Sequence, residues 1–188
     1  MVRKLTMLSV LEPLLTKPKD NLHLAELSKA LGEPHPTLRQ HLNFLEQNGA
    51  LRKETKGGLT IYSLNLSNRN IIDYVVIAEK NHVIKRCGQE PLLKELVGFL
   101  RTLLEEDNKA LIFGSAAESL KNANDVDILI TGKFDGQKLN EFAERFNLKT
   151  HLINVKTLSR VSEALRLEIV KKHLIISGSE EIMRWLLL

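Results

Sequence analysis

The stretch Leu111 to Ile130, LIFGSAAESLKNANDVDILI, restricts the folds open to this chain more than any other. The apolar run Ala110 to Phe113 predicts a buried strand, and Gly114-Ser115 predicts a tight turn into a short helix. A second strand then carries Asp125 and Asp127. Side chains alternate along a strand, so Asp125 and Asp127 share one face while Val126 enters the core. Two such carboxylates repel unless a cation lies between them. Their hard oxygens suit Mg²⁺, which fills the rest of its shell with substrate phosphates. The glycine permits close backbone approach, and Ser115 opens a helix whose free N–H groups attract anions. The expectation is a site for Mg²⁺ and a nucleoside triphosphate, with Asp125 and Asp127 as metal ligands and Gly114 and Ser115 on the phosphates.

The 188 residues suffice for one large or two small domains, and 43% hydrophobic with 27% charged residues is the balance of a soluble globular protein. No run of about 18 uncharged apolar residues is present, so no membrane span is expected. MVRKLTMLSVLEPLL has a basic start, but Glu12 and Pro13 interrupt its apolar stretch, and it reads as a first helix rather than a leader. A single Cys87 fits a reducing cytoplasm. Charge is shared unevenly. Residues 1–88 hold 13 Lys and Arg against 8 Asp and Glu, a net +5, whereas 89–188 hold 14 against 15, a net −1. A basic first half suggests a phosphate backbone as its target.

In that half, Leu5, Leu8, Leu11 and Leu15, with Leu14 beside them, predict a helix over Val2 to Leu15. Leu24, Leu27 and Leu31 predict a second helix, closed by Gly32. After the turn Glu33-Pro34-His35-Pro36, a third runs from Thr37 to Asn48, with Leu38, Leu42 and Leu45 inward and Gly49 at its end. Two helices joined by so short a turn are a helix-turn-helix candidate, the later helix entering a major groove. Ala50 to Thr55 and Leu59 to Leu64, joined at Gly57-Gly58, predict a hairpin with Arg52, Lys53 and Lys56 near its tip. Thr37, Arg39, Gln40, His41 and Asn43 on the third helix, with Lys53 and Lys56 on the hairpin, are the candidate DNA contacts. Arg39 suits guanine edges, Gln40 and Asn43 suit adenine, and the lysines suit phosphate. The recognition face is expected to hold one arginine and no aromatic.

A longer helix from Ser67 to about Arg86, with more apolar surface than a small domain needs, is a candidate homodimer or interdomain helix. Cys87-Gly88-Gln89 is expected to break it and mark a domain boundary. The expected domains are 1–66, a connecting helix 67–88, and 89–188. Beyond it come helices at Leu92 to Leu104 and Gly136 to Phe146, a strand at Lys149 to Val155, one or two helices over Leu158 to Lys172, and a strand at Leu174 to Ser177. Ser179 is expected to cap a last helix ending in Trp185-Leu186-Leu187-Leu188.

Two resemblances follow from these motifs. PTLRQHLNFLEQNGALRKE with its Gly-Gly turn is similar to the recognition helix and wing of arsenical-repressor-like regulators, which implies a winged helix and DNA as partner. The Cys and His clusters of metal-sensing members are missing. Strand, Gly114-Ser115, nine residues, then Asp125-x-Asp127 resembles the minimal nucleotidyltransferases of the DNA polymerase beta superfamily, which implies an α/β domain with a small mixed sheet. The whole would be an α+β chain of two domains. That second family places two Mg²⁺ ions and a third acid on a neighbouring strand. Here the corresponding LKTHLINV offers only Asn154 or His151, while Glu118, Asp135, Glu141 and Glu144 are the acids that could fold back. Three functions stay open: a DNA-binding regulator whose second domain binds nucleotide and Mg²⁺ or is catalytically degenerate; a nucleotidyltransferase acting on a protein, small molecule or nucleic acid; and an antitoxin-like partner of a helical protein.

Overall fold

The computed structural model describes residues 6–17 and 20–187, so the part of the first helix expected over Val2 to Leu5 lies outside the described residues. The protein is mixed α+β with two small sheets. It divides into two compact units between Asn81 and His82, inside a helix rather than at residue 89.

The first unit opens with α1 (Met7–Leu15), whose N-terminus is capped by the Thr6 hydroxyl accepting from the Ser9 amide at 3.2 Å. Val10, Leu11, Leu14 and Leu15 are buried while Leu8 is only partly so, because the neighbouring helices, not leucine spacing alone, set the buried side. A two-residue strand β1 (Leu22–His23), unforeseen in the sequence, leads directly into α2 (Leu24–Leu31). His23 closes that helix as a reciprocal cap: its Nδ1 accepts from the Glu26 amide, and its own amide donates to the Glu26 carboxylate at 2.9 Å. Helix α3 (His35–Gln47) starts two residues earlier than expected, entered from Pro34 with Pro36 in its first turn, where a missing N–H costs nothing.

The hairpin pairs β2 (Leu51–Lys56) with β3 (Leu59–Leu64), Lys56 opposite Leu59, across Gly57 and Gly58. Both turn glycines have positive φ, as a two-residue turn with the native strand twist requires. β1 pairs with the far edge of β3, giving the antiparallel order β1-β3-β2. The base of the hairpin is held to the end of α3 by Asn65 and Asn68, whose amides both donate to the Gly49 carbonyl at 2.9 Å. Arg52 belongs to this base and not to the tip, bonding Asn65 and Ser67.

Helix α4 begins at Ile71, later than expected, and runs unbroken through Cys87 and Gly88 to Gln89. A mid-helix glycine costs only about 1 kcal/mol. Pro91 ends it, because the residue before a proline is driven out of the helical region and Glu90 is extended.

In the second unit α5 (Pro91–Leu103) buries Leu93, Leu96, Val97 and Leu100, with Leu103 only partly covered. A four-stranded sheet follows in the order β6-β5-β4-β7. β4 (Ala110–Phe113) is antiparallel to both β5 (Val126–Thr131) and β7 (His173–Ser177), while β6 (Thr150–Val155) runs parallel to β5, so the sheet is mixed. Inner strand β4 is buried along its whole length as an apolar run, and β5 is buried except at Asp127 near its start. Ala110, Ile112, Ile128, Ile130 and Leu174 join α5 in one core. Helices α6 (Ser115–Glu118), α7 (Gly136–Arg145), α8 (Glu163–Lys171) and α9 (Ser179–Leu187) complete the unit, with 3-10 turns at Leu120–Asn122 and Leu158–Arg160. Ile182, Met183 and Leu186 of α9 are buried, so the apolar end of the chain is covered up to there. Among the described residues no helix is long and apolar enough to cross a membrane.

Candidate functional sites

The first candidate site lies at one end of the four-stranded sheet. Antiparallel register sets Phe113 opposite Asp127, so the residue after Phe113 meets the aspartate side chain. That residue is Gly114, with φ 71 and ψ −150, a conformation reserved for glycine. A Cβ there would stand 2.8 Å from Asp127 Oδ2. The backbone turn and the carboxylate thus both disfavour a larger residue. Ser115 is exposed at the start of α6. Asp125 is exposed in the bend before β5, one residue outside the strand, whereas Asp127 is a quarter exposed within it. Buried Val126 separates them, as alternation requires.

The strand beside β5 decides between Asn154 and His151. Parallel register places His151 level with Asp127, and its Nδ1 lies 3.1 Å from Asp127 Oδ1. Asn154 sits at the other end of β5, donating to the carbonyls of Ile130 and Gly132 at 3.2 and 3.0 Å. It bridges strand ends and takes no part in the site. Three of the acids that could have folded back are bonded to other groups. Glu118 accepts from Lys172 Nζ at 2.8 Å, Asp135 caps α7 by accepting from Gln137 N at 3.1 Å, and Glu141 accepts from Gln137 Nε2 at 3.1 Å. Among the described residues no three of His, Cys, Asp and Glu are grouped to hold a metal ion. The donors do not fit a two-ion magnesium centre: one Asp127 oxygen faces an imidazole, and the group standing where a third acid is needed is a nitrogen base suited to softer metals.

Lys172 is the residue that sequence spacing missed here. Its carbonyl accepts from the Gly114 amide at 3.2 Å, which brings its ammonium to the helix after the turn. No local signal marks it, because the pairing of β4 with β7 joins residues far apart in the chain. The same helix is anchored from behind. Arg86 Nε donates to the Ala117 carbonyl, and Glu90, bonded to Arg86 at 3.0 Å, accepts from the Leu120 amide at 2.9 Å.

The second candidate site lies in the first unit. On α3, Arg39, Gln40 and Asn43 are exposed, while Thr37 and His41 sit at the margins of the buried side and are partly covered. The outward face does hold an aromatic: Phe44 keeps 48% of its surface in solvent. Its place opposite Leu38, Leu42 and Leu45 is the signal that could have found it. Arg39 and Glu46 lie near Tyr62 on β3, whose phenol is pushed up chiefly by burial, with Arg39 opposing and Glu46 adding. Lys53 stands opposite Tyr62 and is exposed well before the turn, and Lys56, at the turn, lies 3.1 Å from the Glu54 carboxylate.

No protein-family model, curated protein or solved structure matches this chain. The geometry itself makes a testable demand at Gly114. Replacing it with alanine should cost about 1–3 kcal/mol, seen as a lower urea midpoint. In an Asp127→Ala background that cost should fall by about 1 kcal/mol as the contact is relieved. Equal costs in both backgrounds would mean that the backbone angle alone, and not the carboxylate, demands glycine.

Proposed function

We propose that this chain is a DNA-binding regulator: a winged helix in the first unit binds duplex DNA, and a nucleotidyltransferase-like second unit has lost transfer chemistry. The observation that carries the second half is His151, level with Asp127 and hydrogen-bonded to it, where the resemblance implies an acid. That acid would hold the nucleophile-side metal and accept the nucleophile's proton. An imidazole whose Nδ1 faces Asp127 supplies no anionic ligand for a second metal ion, which is what that position has to provide. Nucleotide binding without transfer is the role left to the Gly114–Ser115 turn.

The first half is supported by the order helix, short strand, helix, turn, helix, hairpin, with the hairpin widened to three strands by β1. Helix α3 would enter the major groove with Arg39, Gln40 and Asn43, and Lys53 and Lys56 would meet phosphate. A homodimer is supported by α4, where Ile77 and Ile84, seven residues apart and thus on one side, are 51% and 70% exposed. One observation favours a second reading, an active nucleotidyltransferase. The fit of Gly114 against Asp127 is intact, as a working site would need.

Gel retardation of genomic fragments should show binding at low salt that weakens as salt rises. Lys53→Gln should flatten the log–log salt slope by about one. If no fragment is retained at low salt, the DNA half is wrong. Incubation with labelled triphosphates, Mg²⁺ or Mn²⁺ and cell extract should give no labelled acceptor; label that appears and is lost in Asp125→Ala with Asp127→Ala would select the enzyme instead. Ile84→Lys should convert a dimer to a monomer in sedimentation. A wild-type chain that is monomeric at every concentration would remove the dimer.

A further inference from the structure

With Leu38, Leu42 and Leu45 turned inward, the opposite side of α3 is fixed as Gln40, Asn43, Phe44 and Gln47, all exposed. Spaced i, i+3, i+4, i+7, they form one stripe about 10 Å long, the height of about three stacked base pairs. The stripe holds three carboxamides and one phenyl ring, and no charge. Arg39, the helix's lone arginine, lies instead on the flank near Tyr62.

The major groove gives each of these groups a partner. A carboxamide pairs two-pronged with adenine N6 and N7, donating to one and accepting from the other, whereas guanine presents acceptors only and is best met by a cation. Cytosine offers an amine best met by a carboxylate, and the stripe has none. The apolar feature of the groove is the thymine methyl, which an exposed phenyl would cover with a gain in buried apolar surface.

We infer that this stripe reads about three successive A·T pairs, with Phe44 seated on a thymine methyl beside an adenine bound by Gln40, Asn43 or Gln47. The inference rests on the DNA-binding reading above and names what that site recognises. Its test uses the full chain and duplexes selected from a randomised pool. The selected duplexes should share an A·T core. Replacing its thymines by uracil one at a time, which removes only the methyl, should weaken wild-type binding about fourfold at one position. Phe44→Ala should bind more weakly and be indifferent to uracil there. A G·C core, no uracil-sensitive position, or the same sensitivity in Phe44→Ala overturns the assignment while leaving DNA binding intact. Failure to retain any duplex overturns both and makes the stripe a protein-docking face.

Discussion

The carboxylate of Asp127 stands 2.8 Å from where a Cβ at position 114 would lie, and the strand ends of the second unit's sheet meet around that contact. β4 is antiparallel to β5 and β7, so its C-terminal end meets the N-terminal ends of both, and β6, parallel to β5, brings its own N-terminal end alongside. Four strand ends therefore converge at one edge. Gly114 donates to the Lys172 carbonyl, Val126 donates to that of Lys149, and His151 bonds Asp127. A site assembled from strand ends is held by the rigid sheet behind it, which is why a four-residue helix suffices to carry Ser115.

Much of this was legible in the sequence where the signal is local. The buried run Ala110 to Phe113, the Gly57-Gly58 turn and α2 fall on their expected residues because each rests on a local rule. The failures share a cause. β1 is two residues long and exists only because β3 offers it an edge. α4 passes through Gly88 because the roughly 1 kcal/mol that glycine withholds is outweighed by extending a helix already formed over the residues before it. In α1 the buried side is chosen by neighbours, so Val10 displaces Leu8.

The candidate sites divide along the same line. Gly114 and Asp127 announce themselves because one β4–β5 pairing brings them together from within a single stretch, with Asp125 one residue outside the strand. Choosing His151 over Asn154 required the β5–β6 register, which no spacing within LKTHLINV reveals. Lys172 required a third strand. Phe44 is different: its exposure follows from the helical phase of Leu38, Leu42 and Leu45 alone, which turns it to the polar side.

Charge sets how much the first unit can gain from DNA by electrostatics alone. Arg39, Arg52, Lys53 and Lys56 are its exposed cations on α3 and the hairpin; Arg52 bonds the neutral Asn65 and Ser67, and Lys56 shares its charge with Glu54. Neutralising four phosphates with these residues would give a salt slope of only about −3.6, far below that of tight, charge-driven binders. One copy of such a surface would therefore hold DNA weakly and sequence-indifferently unless base contacts supplied the difference. Two copies on a two-fold axis double the phosphate contacts and the base contacts together, and fixed half-site spacing makes the second set nearly free of translational cost. On the DNA-binding reading proposed above, the weakly charged face of α3 and the exposed Ile77 and Ile84 on α4 would answer one requirement: the fewer cations each copy carries, the more its affinity would have to come from reading bases and from being paired.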